Sequence, residues 1–62
     1  MKIIEVTPIN KKRVKYFLVI NNKRVQLYKY SAIQLKNSNK LNLISTETEQ
    51  KKLYNITIFN YK

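Results

Sequence analysis

Apolar and polar positions alternate most regularly over residues 13–30, RVKYFLVINNKRVQLYKY. Two β-favouring runs, 13–20 and 23–30, flank the pair Asn21-Asn22. A two-residue type I′ corner needs positive φ at both central positions, and Asn tolerates that better than any residue except Gly. The chain contains no Gly, so Asn is its practical supply of left-handed corners. The spacing predicts a β-hairpin in which Ile20 faces Lys23 and, at the open end, Arg13 faces Tyr30. Directly opposed residues share a face and successive ones alternate. One face then collects Val14, Tyr16, Leu18, Ile20, Val25 and Leu27, and reads as core. The other collects Arg13, Lys15, Phe17, Val19, Arg24, Gln26, Tyr28 and Tyr30, and reads as a basic surface with interleaved aromatics.

The segments around this hairpin are shorter and less regular. Residues 2–7, KIIEVT, predict a first strand that stops at Pro8, which cannot donate a ladder hydrogen bond. Joined through residues 9–12, it makes a three-stranded antiparallel meander with the hairpin. Ser31 is a good N-cap and residues 32–36, AIQLK, predict a short helix stopped by Asn37-Ser38-Asn39. Leu41, Leu43 and Ile44 read as a strand-like connector into the core. A second helix is expected from about residue 45, because Thr46 and Glu49 have capping-box spacing. Glu47 and Glu49 precede Lys51 and Lys52, the order a helix macrodipole favours. Residues 53–59 read both ways. Tyr54, Ile56 and Ile58 alternate as in a strand, yet no Gly or Pro breaks the chain after Lys52, and the reading leans to helix through about residue 59. The fold class predicted is α+β, a small three-stranded antiparallel meander with one or two short helices.

Sixty-two residues make one domain, 1–62, with a small core. With no Cys and no His, disulfides and the usual zinc sites are excluded and no cofactor is implied. At 44% hydrophobic residues the chain is too apolar to read as disordered. Neither a signal-peptide pattern nor a run near the ~20 apolar residues of a membrane span occurs, so a cytoplasmic protein with no membrane partner is expected. Charge changes the picture more. Thirteen Lys and Arg against three acidic residues leave a net +10, which points to a polyanion. An AT-rich genome would inflate Lys, Asn, Ile, Tyr and Phe without any binding site. It would not cluster the cations between positions 11 and 29, with only Lys2 before them.

Catalytic chemistry finds little to work with. The carboxylates are Glu5, Glu47 and Glu49 alone, and the latter two, on a helix, would point in different directions and serve as capping groups. No serine has a His base, and phosphate loops need Gly. A non-enzymatic binding protein is expected. Arg13, Lys15 and Arg24 would neutralise phosphates, and Phe17, Tyr28 and Tyr30 would offer stacking surfaces, each stacked base being worth roughly 1–3 kcal/mol. A helix packed over Phe17 and Val19 would instead make them core. Tyrosine also favours protein interfaces, so the alternative is a phage or mobile-element type of protein that inhibits or regulates a host nucleic-acid-handling enzyme. A homodimer formed through an exposed strand edge is a third possibility.

The segment KIIEVTPINKKRVKYFLVINNKRVQLYKYSAIQLK resembles the N-terminal part of the bacterial recombination regulator RecX family, with an opening strand, a basic turn, a hairpin and a short helix. EQKKLYNITIFNYK is faintly similar to the helix that follows there. The resemblance implies binding to a nucleoprotein, a recombinase filament on DNA. The chain departs from that family in ending at Lys62 rather than continuing into helical repeats, and in carrying Asn21-Asn22 at the hairpin corner.

Overall fold

The computed structural model describes residues 1–38 and 40–62. Five strands and one helix follow in the order β1 (Lys2–Pro8), β2 (Lys15–Ile20), β3 (Lys23–Leu27), α1 (Lys29–Lys36), β4 (Leu43–Gln50) and β5 (Tyr54–Tyr61). All five strands form one antiparallel sheet in the order β3-β2-β1-β5-β4. The predicted three-stranded meander is therefore only part of the sheet, and the fold is mostly strand. β1 is not an edge but the central strand, paired with β2 on one side and β5 on the other.

The hairpin corner forms as its chemistry demands. Asn21 has φ 50° and Asn22 φ 66°, and Ile20 pairs with Lys23 through to Tyr16 with Leu27. The ladder is shorter than expected. β2 begins at Lys15 and β3 ends at Leu27, because the chain turns into α1 straight after Tyr28, whose carbonyl accepts from the Ala32 N–H at 3.0 Å. The helix thus starts three residues before the expected 32. Tyr28 is its N-cap, in extended conformation and with no side-chain cap bond, so the Ser31 cap is overturned. Its end agrees better. Asn37 is the C-cap and its N–H reaches the Ile33 carbonyl at 3.0 Å, while the expected stop at Asn39 lies outside the described residues.

The second helix does not exist. Residues 43–50 and 54–61 form a hairpin, β4 and β5, around Lys51–Leu53, with the Lys51 N–H donating to the Tyr54 carbonyl at 2.7 Å. Thr46, Thr48, Ile56, Thr57 and Ile58 are β-branched and lose rotamer freedom in a helix. β5 then gains a full ladder on β1, from Lys2 opposite Asn60 to Pro8 opposite Tyr54. The capping-box spacing of Thr46 and Glu49 is incidental. Leu43 and Ile44 are not core either; they are 54% and 64% exposed, at a register shift between Leu43 and Ser45.

The register places Ile3, Glu5, Tyr16, Leu18, Val25, Leu27, Thr57 and Phe59 on one face. The helix lies on that face. Lys36 pairs with Glu5 and holds its ammonium 4.4 Å from the Phe59 ring centroid, so its stem covers an aromatic while its head reaches a carboxylate. Ile3 and Ala32 are fully buried, with Tyr61 nearly so. The opposite face carries Ile4, Val6, Phe17, Val19, Ile56 and Ile58, all only half-buried. No described element crosses it.

Two substitutions test this account by thermal or urea unfolding. Asn22→Gly should stabilise the fold by roughly 0.5–1 kcal/mol, since Gly adopts positive φ freely, whereas Asn22→Val should destabilise it by at least about 1 kcal/mol; equal effects would contradict a left-handed corner. Ile3→Ala should cost about 3 kcal/mol, enough to unfold much of so small a domain, because Ile3 has no exposed surface and its removal leaves a gap at the centre of the sheet.

Candidate nucleic-acid interface

Antiparallel pairing gathers loops that are far apart in sequence at one end of the sheet. The β1–β2 loop, the passage from β3 through Tyr28 into α1, and the β4–β5 turn all lie there. A backbone bond ties two of them, with the Ile9 N–H donating to the Leu53 carbonyl at 3.1 Å. Each segment brings cations: Lys11, Lys12 and Arg13 from the loop, Lys29 from the helix start, and Lys51 and Lys52 from the turn. All are exposed.

Two of the clefts at this end are bordered by cations. The first has an apolar floor of Val6, Pro8, Ile9, Leu53 and Tyr54, rimmed by Lys11, Arg13, Lys15 and Lys52. The second runs between Lys12, Arg13 and Lys15 on one side and Leu27, Tyr28 and Lys29 on the other. Arg13 and Lys15 border both, and no carboxylate lines either one. Positive potential is therefore uncompensated within the clefts, and with low-dielectric walls it is focused there.

The six residues expected to form the site are split by the fold. Arg13, Lys15 and Tyr28 come together at the second cleft. Tyr28 is 86% exposed, available to stack. Phe17 and Arg24 lie further along the sheet on its open face, where the Arg24 guanidinium sits 5.0 Å over the Phe17 ring. That contact occupies one side of the ring with a cation–π partner. The later helix that was to cover Phe17 and Val19 is replaced by β4 and β5 in the same sheet, and α1 lies on the other face. Tyr30 is in the first turn of α1, 74% exposed, and borders neither cleft.

Sequence reasoning missed Lys29, Lys51, Lys52 and Tyr54 as members of one surface. The available signal was the strand-like alternation of residues 54–58, since a hairpin there brings the 51–52 turn beside the 10–13 loop. The two glutamates of β4 also change meaning. On a strand, Glu47 and Glu49 point to one side, opposite Ile58 and Ile56, rather than diverging as on a helix. Glu5 is engaged with Lys36 on the helix-covered face. Among the described residues, no cluster of three or more acidic, His or Cys side chains has the arrangement of a metal site. Nor is any helix long and apolar enough to cross a membrane.

No protein-family model, curated protein or solved structure matches the chain, and the family resemblance rests on its residues alone.

Proposed function

We propose that this chain is a non-enzymatic, cytoplasmic nucleic-acid-binding protein, and that it grips the phosphate backbone with the basic end of its sheet. The single observation that carries the reading is convergence. Cations from three segments, from Lys11 to Lys52 in sequence, meet at one end, around clefts that no carboxylate lines. Genome-wide codon bias raises Lys everywhere and gives no reason for such convergence. Lys11, Lys12, Lys51 and Lys52, on long solvated stems, act as adaptable phosphate partners. Arg13 sits between the clefts, where its planar fork suits a phosphate held by two hydrogen bonds. Tyr28 and Tyr54 flank the same surface and supply flat faces for unpaired bases. Phosphate contacts of this kind position a strand without reading its sequence.

Two charge-matched variants test the site by fluorescence anisotropy with labelled oligonucleotides. Lys11→Glu with Lys51→Glu alters the basic end; Lys23→Glu with Lys62→Glu makes the same change of net charge at the other end. The first pair should weaken binding at least about tenfold and flatten the dependence of log K on log salt by roughly one to two units, one for each phosphate that is no longer neutralised. The second pair should leave affinity within about threefold. Equal weakening by both pairs would mean a diffuse charge effect and no site.

Tyr28→Ala separates stacking from charge. It should weaken single-strand binding by about tenfold, the size of one base–aromatic stack, and leave duplex binding nearly unchanged. Binding that persists at high salt and requires one particular protein would replace this reading with that of a regulator docked on a nucleic-acid-handling enzyme.

A further inference from the structure

We propose that two copies of this chain pack face to face through the open side of the sheet. The first support is area. A folded monomer of 7.5 kDa is expected to expose roughly 4,200 Å², whereas this chain exposes 5360 Å². The excess, about 1,100 Å², is larger than one partner's share of a standard interface, about 800 Å². Part of it lies on the open face, which no described element covers; the most exposed apolar side chains, Val25, Leu43 and Ile44 among them, lie elsewhere. Ile58, Ile4 and Phe17 lie side by side across three strands, and Ile56 and Val6 form the next row, ending at Lys15. All five apolar side chains are half-buried with no layer above them.

The second support is charge. Glu47 and Glu49 project to this same face from β4, level with Ile58 and Ile56. Lys15 and Arg24 project to it from β2 and β3. One flank of the apolar rows is therefore acidic and the other basic. A two-fold axis lying between the sheets, parallel to the strands and running between β1 and β5, exchanges the flanks. It sets β4 of one copy over β2 of the other, in the same row. Glu49 then meets Lys15 of the second copy, and Glu47 meets the Arg24 guanidinium stacked on Phe17 of the second copy. Ile58 packs on Ile4 and Ile56 on Val6. An axis across the strands would place glutamate on glutamate, as would antiparallel pairing of two β4 edges. Only the first arrangement satisfies both the apolar rows and the charges, and it is isologous and closed. Because this axis keeps strand direction, the two basic ends emerge side by side.

The inference does not depend on nucleic-acid binding and is tested without it. In sedimentation experiments from micromolar to millimolar protein, the native chain should pass from monomer to dimer. E47K/E49K and K15E/R24E, each checked for a β-sheet circular dichroism spectrum, should remain monomeric alone, since each repels itself. An equimolar mixture of the two should form a 1:1 dimer, because every pair is then complementary. A native chain that stays monomeric, a variant that dimerises like the native chain, or a mixture of monomers would each overturn the proposal.

A second measurement removes reliance on the charge variants. The chain has no Cys, so E49C and K15C chains each carry one thiol. Sheets packed face to face lie about 10 Å apart, beyond the ~7 Å between Cα atoms that a disulfide tolerates, so the bridge is made with a thiol-reactive crosslinker of about that length. Treating the mixture with a short bis-maleimide should give the mixed 15–49 crosslink in preference to either symmetric one. Predominant 49–49 bridging would point to β4 edges or like-on-like faces and reject the arrangement.

Discussion

The ladder between β1 and β5 is the constraint on which the rest depends. It joins the two ends of the chain, with the Tyr61 N–H donating to the Met1 carbonyl at 2.8 Å and the Met1 ammonium donating back to the Tyr61 carbonyl at 3.2 Å. Without it the molecule would be a three-stranded meander with its helix and a separate two-stranded hairpin, β4–β5, which alone is marginal at best in water. With it, Ile3 gains neighbours on both sides, Leu18 and Phe59, and becomes the largest fully buried side chain among the described residues, on the face that α1 occupies. Glu5, in the same strand, becomes the anchor for Lys36. Closing so long a loop costs chain entropy, but that cost rises only logarithmically with length, while each added ladder residue contributes burial and hydrogen bonds locally. The basic end is a product of the same ladder, because pairing Pro8 with Tyr54 sets the β1–β2 loop beside the β4–β5 turn.

Three carboxylates are few against thirteen cations, and their placement organises the electrostatics. Glu5 fixes the helix. Glu47 and Glu49 sit on β4, one edge of the sheet, while Lys23 and Arg24 sit on β3, the other edge. Charged edges discourage unplanned strand addition, so each edge is protected by a different sign. The same choice leaves the clefts at the loop end free of negative charge and gives the open face opposed flanks. A single segregation of charge thus underlies the proposed phosphate surface and the proposed dimer.

Local chemistry made part of this fold legible. The Asn21-Asn22 corner is dictated by residues within four positions, and so the register of β2 on β3 and the division of their faces could be read directly. The edge between strand and helix could not. Nothing near Tyr28 signals a cap, and the helix that starts there is held by a distant partner, Glu5, which Lys36 reaches from its last turn. Residues 43–61 were misread for a related reason. Glu47, Glu49, Gln50, Lys51 and Lys52 are good helix formers, the turn contains no Gly or Pro, and the decisive partner of β5 is β1, about fifty residues away. Of the candidate site, the part inside the hairpin and its flanks was visible, namely Arg13, Lys15 and Tyr28. The cations of the β4–β5 turn were not, because their neighbourhood is created by a non-local ladder.

An eight-residue helix is about 12 Å long, and five strands span roughly 24 Å, so α1 cannot cover even the face it occupies. Val25 and Ile20 at the margin of that face remain 56% and 45% exposed, and the other face has no cover at all. A chain this short can offset its chain entropy through internal packing only narrowly, which makes intermolecular burial a larger share of its stability than in an ordinary domain. The two-fold arrangement links that need to function. Its interface takes Lys15 and Arg24 into ion pairs, but leaves the loop and turn lysines of both copies free and facing the same way. In the proposed dimer a polyanion long enough to span both ends would meet the loop and turn lysines of two copies, and by linkage it would then strengthen the dimer by the factor it gains in affinity. The two proposals, self-association and phosphate binding, thus make one coupled equilibrium, driven at one surface by apolar burial and at the other by charge.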